Sequence, residues 1–193
     1  RAGLRFGTEI SWIGASTIAE AMARIAAAAK LAGPGQWLVV AGGWTPRQFK
    51  ERRLPTRAEL EAAAGGHPAY VQLFYGAALL TRQAKKQLGI GSQRDVPPKG
   101  RIERDSNGGE TGWISGDAPS ITRLYARLPQ PTLAQSIEGT KLFFRELNRV
   151  GLTGVIDPGG YNLAPEQYEA LFALWRQGGL TVRIAYSICA PKG

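Results

Sequence analysis

The side chains able to do chemistry in this chain are few, and their scarcity excludes several reaction classes at once. A metal centre ordinarily draws on two or more histidines or on a Cys/His cluster. This sequence has one histidine, His67, and one cysteine, Cys189, far apart along the chain. His67 stands between Gly66 and Pro68, where a structural or solvent-facing ring is favoured over a ligand. A serine triad would need the same histidine, and Gly112-Trp113-Ile114-Ser115-Gly116 lacks the Gly-x-Ser-x-Gly spacing of a nucleophile elbow. No Gly-x-Gly-x-x-Gly and no Gly-x-x-x-x-Gly-Lys-Ser/Thr occurs, so no glycine-rich cradle for nucleotide phosphates is present. No catalytic residue and no metal ligand is therefore assigned within the segment.

One acid stands where chemistry is commonly found. Asp157 closes the apolar run Leu152-Thr153-Gly154-Val155-Ile156 and precedes Pro158-Gly159-Gly160. Two readings are open: a turn-forming aspartate, or a polar group at the carboxyl end of a strand. The elements that would position it are legible. Residues 152–157 form a strand, and residues 165–175 carry Tyr168, Leu171, Phe172 and Trp175 at the spacing of a one-sided helix. Gly178-Gly179 stops that helix, and residues 181–186 form a second, β-branched strand. Two strands joined by a helical crossover lie parallel in one sheet. Ligands meet such sheets at the carboxyl ends of the strands, which makes Asp157, Tyr161 and Tyr186 the substrate-pocket candidates.

Upstream, Thr17/Glu20, Thr56/Glu59 and Thr132/Gln135 each have the spacing of a capping box and open a helix. The first helix buries Ile18, Met22, Ile25 and Ala29, and the last of the three buries Ile137, Phe144 and Leu147. Strands are expected over 36–41 and 69–74, a helix over 77–88, and a hairpin turning at Asn107-Gly108. Trp37, Trp44 and Trp113 are read as packing residues. The chain divides into a first helix region over 1–35, a strand-rich stretch over 36–130, and strict helix–strand alternation over 131–193.

With 193 residues and 44% hydrophobic content, the sequence can bury a core. It begins at Arg1 rather than Met and ends shortly after a strand, and is read as a segment of a longer protein. The net charge of +9 raises the possibility of nucleic acid. Its densest groups, Lys50 to Arg53 and Lys85-Lys86, form no recognisable nucleic-acid motif, so a solvated basic face is expected and no specific nucleic acid. A noncatalytic basic α/β module binding nucleic acid or an acidic partner is the rival reading. No apolar run is long enough to cross a bilayer, and no membrane partner is expected. A lone cysteine fits a reducing, cytoplasmic compartment. The strand over 181–187 carries exposed-edge potential and apolar residues, from which a homo-oligomer is expected.

Several motifs in one order carry a resemblance. Trp37-Leu-Val-Val-Ala-Gly-Gly-Trp44, Phe49-x-Glu-x-Arg53-Leu-Pro-Thr56-x-x-Glu-Leu60, His67-Pro-x-Tyr-Val-Gln72, Thr111-Gly-Trp113 and Glu146-Leu-Asn-Arg149-x-Gly-Leu-Thr-Gly-Val-Ile-Asp157-x-Gly-Gly160 together resemble the YtcJ-like branch of the amidohydrolase superfamily, family 3. The resemblance implies an α/β fold: part of a metal-dependent (β/α)8 barrel, the region of strands 1–3, with a β-rich insertion between strands 1 and 2. It implies hydrolysis of a non-peptide carbon–nitrogen bond, in an amide or N-substituted formamide, by water activated on a divalent metal, zinc by expectation. The family's ligands, a His-x-His pair and later residues, would fall before Arg1 and after Gly193. The segment alone would then carry no metal and be inactive. The chain departs from the family at Tyr75-Gly76-Ala77-Ala78 and Thr81, where relatives carry a polar group and an asparagine.

Overall fold

The computed structural model describes residues 5–157 and 165–187. The chain forms two compact units, one of residues 9–130 and one that joins residues 1–8 to residues 131–193.

The first unit is built on a five-stranded mixed sheet. Its strands are β1 (Leu38–Val40), β2 (Ala69–Leu73), β3 (Ala77–Leu80), β4 (Arg101–Arg104) and β5 (Glu110–Ser115), in spatial order β1-β2-β3-β5-β4. β1 and β2 are parallel, and the other neighbours are antiparallel. Strand periodicity sorts the side chains onto two faces. Leu38, Val40, Ala69, Val71, Leu79 and Trp113 share one core with α1 (Ile18–Leu31) and α2 (Arg57–Ala64). Val39, Tyr70, Ala78, Leu80, Ile102 and Ile114 enter a second core, with Ala84 of α3 (Arg82–Gln87) and Leu124 of α4 (Ala118–Ala126).

The tryptophan-rich motifs are structural. Trp12, Trp44 and Phe49 are buried against one another, with Trp12 and Trp44 ring centroids 5.0 Å apart. The Trp44 indole donates to the Gln72 carbonyl at 2.8 Å, and the Trp113 indole to Pro55 at 3.2 Å. His67 is likewise structural, with Nδ1 3.1 Å from the carbonyl oxygen of Gln36.

The expected helix over 77–88 is corrected. Residues 77–80 are β3, a buried strand between β2 and β5, and only Arg82–Gln87 are helical. Ala-Ala-Leu-Leu reads as helix by propensity, but a short connection over 74–76 returns the chain alongside β2. Phe74 lies at φ 48°, a conformation that suits such a tight reversal. Packing on both faces of the sheet then overrides the local preference. Thr81 ends the strand and caps α3, its hydroxyl accepting from Ala69 N and Ala84 N. The hairpin at Asn107-Gly108 does form, between β4 and β5 of the five-stranded sheet. Asp105 Oδ1 there accepts from the amides of Asn107 and Gly109.

The capping boxes at Thr56 and Thr132 are complete. At Thr17 only half of the box forms. Thr17 caps Glu20 N, but the Glu20 carboxylate turns to Ser16 N at 2.6 Å, and Glu51 caps Ile18 N instead.

The second unit contains α5 (Leu133–Arg149), β6 (Gly154–Asp157), α6 (Glu169–Arg176) and β7 (Arg183–Tyr186). β6 and β7 are parallel neighbours, paired from Gly154↔Arg183 to Asp157↔Tyr186. Phe144, Leu174 and Val182 are buried between helices and sheet, with Ile137, Leu147, Val155 and Ile184 against them. α6 buries Ala170, Ala173 and Leu174; of the expected stripe Tyr168 is buried and Leu171 packs against the core, whereas Trp175 is 65% exposed. The α/β architecture agrees with the expected parallel βαβ unit accompanied by a β-rich segment.

Candidate functional site

Two of the three pocket candidates from the sequence, Asp157 and Tyr186, lie at the carboxyl ends of β6 and β7. Three features bring the strands into register. Gly178, at φ +67°, lets the chain leave α6 in a left-handed turn, and Gly179 N closes it on the Leu174 carbonyl at 2.8 Å. At the amino ends of the strands, the Asn148 amide donates to the carbonyls of Leu152 and Thr181, at 3.2 and 3.3 Å. The ladder runs from Arg183 N on Thr153 O to Ser187 N on Asp157 O.

This register places Asp157 directly opposite Tyr186. Tyr168, at the start of α6 and buried, donates its hydroxyl to Asp157 Oδ2 at 3.2 Å. Its ring lies 4.8 Å from that of Tyr186, and Phe172 meets Tyr186 edge-on at 5.9 Å. A carboxylate is thus held by a phenol beside an aromatic cluster.

Period-two alternation decides which way these groups face. Val155 and Ile184 pack toward α5 and α6, so Asp157 and Tyr186, two residues further, lie on the same helix-facing side. Ile156 and Ala185 pair on the opposite side, where Ile156 is 77% exposed. The sequence analysis missed Tyr168 as the partner of Asp157 and Ile156 as the residue of the open face. The alternation of Val155, Ile156 and Asp157 was the available signal for the second. Tyr161 and Cys189 lie outside the described residues.

The donor set does not fit a metal here. Among the described residues, no three His, Cys, Asp or Glu side chains gather to hold an ion. His67 belongs to the other unit and is held by Gln36, and Asp157 is held by Tyr168.

Two solved structures share the fold. One is an uncharacterized metal-dependent hydrolase from Pyrococcus horikoshii, with a TM-score of 0.59 at 19% identity over 97% of this chain. The other is an uncharacterized metal-dependent hydrolase from Pyrococcus furiosus, with a TM-score of 0.54 at 17% identity over 93% of this chain. The chain spans 34% of the length of each. No curated protein sequence matches the chain. The amidohydrolase family model matches residues 1–192, and the chain belongs to the amidohydrolase family.

Proposed function

We propose that this chain is the amino-terminal part of a (β/α)8 metal-dependent hydrolase of the YtcJ-like type, cutting a non-peptide carbon–nitrogen bond in a small amide or N-substituted formamide. The observation that carries the reading is the family match over residues 1–192. The parallel β6–α6–β7 unit supports it, because such a unit is the repeating element of a barrel. In the whole enzyme a divalent metal, zinc, would lower the pKa of its bound water and polarise the scissile carbonyl. Its ligands would come from residues before Arg1 and after Gly193, as the resemblance to the family implies.

The segment's own contribution is shape. Asp157 and Tyr168 fix the ends of β6 and β7, Tyr186 borders the pocket mouth, and the face bearing Ile156 and Ala185 turns toward the barrel interior. Residues 36–130 act as the insertion between strands 1 and 2. Chains associate into a homo-oligomer in the cytoplasm. Among the described residues no helix is long and apolar enough to cross a membrane.

The test compares the 193-residue chain with a longer polypeptide that includes its flanking coding sequence. The longer form should retain stoichiometric metal through dialysis and hydrolyse N-substituted formamides or amides, whereas the segment should do neither. A segment that alone retains one metal per chain against a chelator, or a longer form inert toward every C–N substrate with metal bound, overturns the reading.

A further inference from the structure

Ion pairs across most of the described surface are one-to-one: Arg53 with Glu59, Arg101 with Glu103, Lys141 with Glu138, Arg149 with Glu146 and Arg176 with Glu169. One cluster breaks this pattern. Glu61 lies between Arg82, at 2.5 Å, and Arg57, at 3.9 Å. Glu110 is shared by Lys85 and by Arg104 at 3.6 Å, and Arg57 acts on it as well. Two carboxylates therefore serve four cations. Lys86 adds a fifth charge at the exposed rim.

Most of these cations, though not Arg104, face one concavity. Arg57, Arg82, Lys85, Lys86 and Glu110 line an open cleft of about 690 Å³, floored by Ile90 and bounded by Gly89, Gly91 and Asp95. Asp95 offsets part of the excess, with its carboxylate held to one side of the cleft by the amides of Gly91 and Ser92, at 3.0 and 2.7 Å. The Lys85 side chain is only 10% exposed and is held by Glu110, and that of Arg57 is 17% exposed, so two of the cations are fixed rather than floating. Like charges confined at low exposure repel, and a cleft with low-dielectric walls focuses their potential outward. Both facts favour an incoming anion. Guanidinium groups at Arg57 and Arg82 provide the forked donors that match phosphate oxygens, and Lys86 provides a mobile point charge.

We propose that this cleft, formed by α2, α3 and β5, binds a small ligand carrying a phosphate or pyrophosphate group, separately from the site at the ends of β6 and β7. The volume lies in the range of small-molecule clefts. Confinement of the excess charge to one concavity favours a compact polyanion over an extended nucleic-acid backbone, which would need a long basic track.

Calorimetric titration of the full chain with inorganic pyrophosphate, with inorganic phosphate and with a short DNA duplex tests this. Arg82→Ala and Lys86→Ala are suitable variants because both side chains are exposed and neither enters a core. Pyrophosphate should bind with one site per chain, more tightly than phosphate. Each variant should weaken it about tenfold, while circular dichroism and melting stay unchanged. Absence of pyrophosphate binding at low salt, affinity unchanged in both variants, or duplex DNA binding that both variants leave intact and that exceeds pyrophosphate would overturn the proposal. A Glu61→Gln variant, which removes a competing carboxylate, should tighten binding, and weaker binding in that variant would also count against it.

Discussion

The two sheets of this protein solve burial in different ways. In the five-stranded sheet, apolar residues alternate between two cores, and strands β1 to β3 are covered on both faces. In the β6–β7 pair only the helix-facing side is packed, and Ile156 on the other side is 77% exposed. The mixed sheet derives its stability from its own layers. The parallel pair has a finished face and an open one, which suits a strand pair that lines something. The tryptophans divide the same way, with Trp12, Trp44 and Trp113 buried in the first unit and Trp175 exposed in the second.

That contrast can be broken by mutation. Leu79→Ala, at a fully buried position of β3, should cost about 2–5 kcal/mol, whereas Ile156→Ala should stay within about 0.5 kcal/mol. Urea denaturation followed by tryptophan fluorescence measures both, and similar losses would erase the distinction between the sheets. Gly112→Ala comes next, at about 1–3 kcal/mol. Gly112 lies at φ +90° in β5, and a Cβ there would meet Arg57 Cδ at 2.8 Å. A neutral result would mean that the backbone relaxes from this φ and that Arg57 moves aside, which would also loosen the proposed anion cleft. Tyr168→Phe, which removes the hydroxyl from Asp157 but leaves the ring against Tyr186, should cost about 1 kcal/mol. Faster hydrogen exchange should then be confined to the ends of β6 and β7.

Legibility in the sequence followed the same division. The βαβ unit could be read because its strands, helix and stop signals are local, and the pairing of β6 with β7 follows from the crossover alone. β3 was misread because what makes Ala77–Leu80 a strand is its two neighbours, β2 and β5, the second of which lies more than thirty residues away. At the candidate site, Asp157 and Tyr186 could be named from the strand ends, but not the hydroxyl of Tyr168. That contact depends on how α6 sits over the sheet. The anion cleft was visible only as Lys85-Lys86. Arg57, Arg82 and Glu110 come from separate elements that meet through the fold. Thr17 shows a further limit, since the half-formed box depends on Glu51 from a distant loop.

An effect of the same size as that of Tyr168→Phe concerns acid, and it separates the units again. Arg53 holds Glu59 through a paired contact at 2.6 and 2.9 Å, and the amide and hydroxyl of Thr56 add to it. The Arg53 guanidinium is the main cause that holds the Glu59 carboxyl down at about 2, against 4.5 for an ordinary glutamate. The folded state therefore has the lower pKa. Its contribution is complete above about pH 4.5, where the carboxylate is ionised in both states, and is lost as pH falls toward 2. Arg53 and Glu59 are both partly exposed, so screening limits the gain to about 1 kcal/mol. Glu59→Gln keeps a side chain able to close the capping box but removes the titration. The stability difference between the parent chain and this variant should be about 1 kcal/mol at pH 6 and shrink toward zero between pH 4.5 and 2. The loss should be seen in the buried-tryptophan signal of the first unit, because Glu59 belongs to α2. A difference that stays constant with pH would show that Glu59 acts only as a cap and that the Arg53 pair adds nothing to folding.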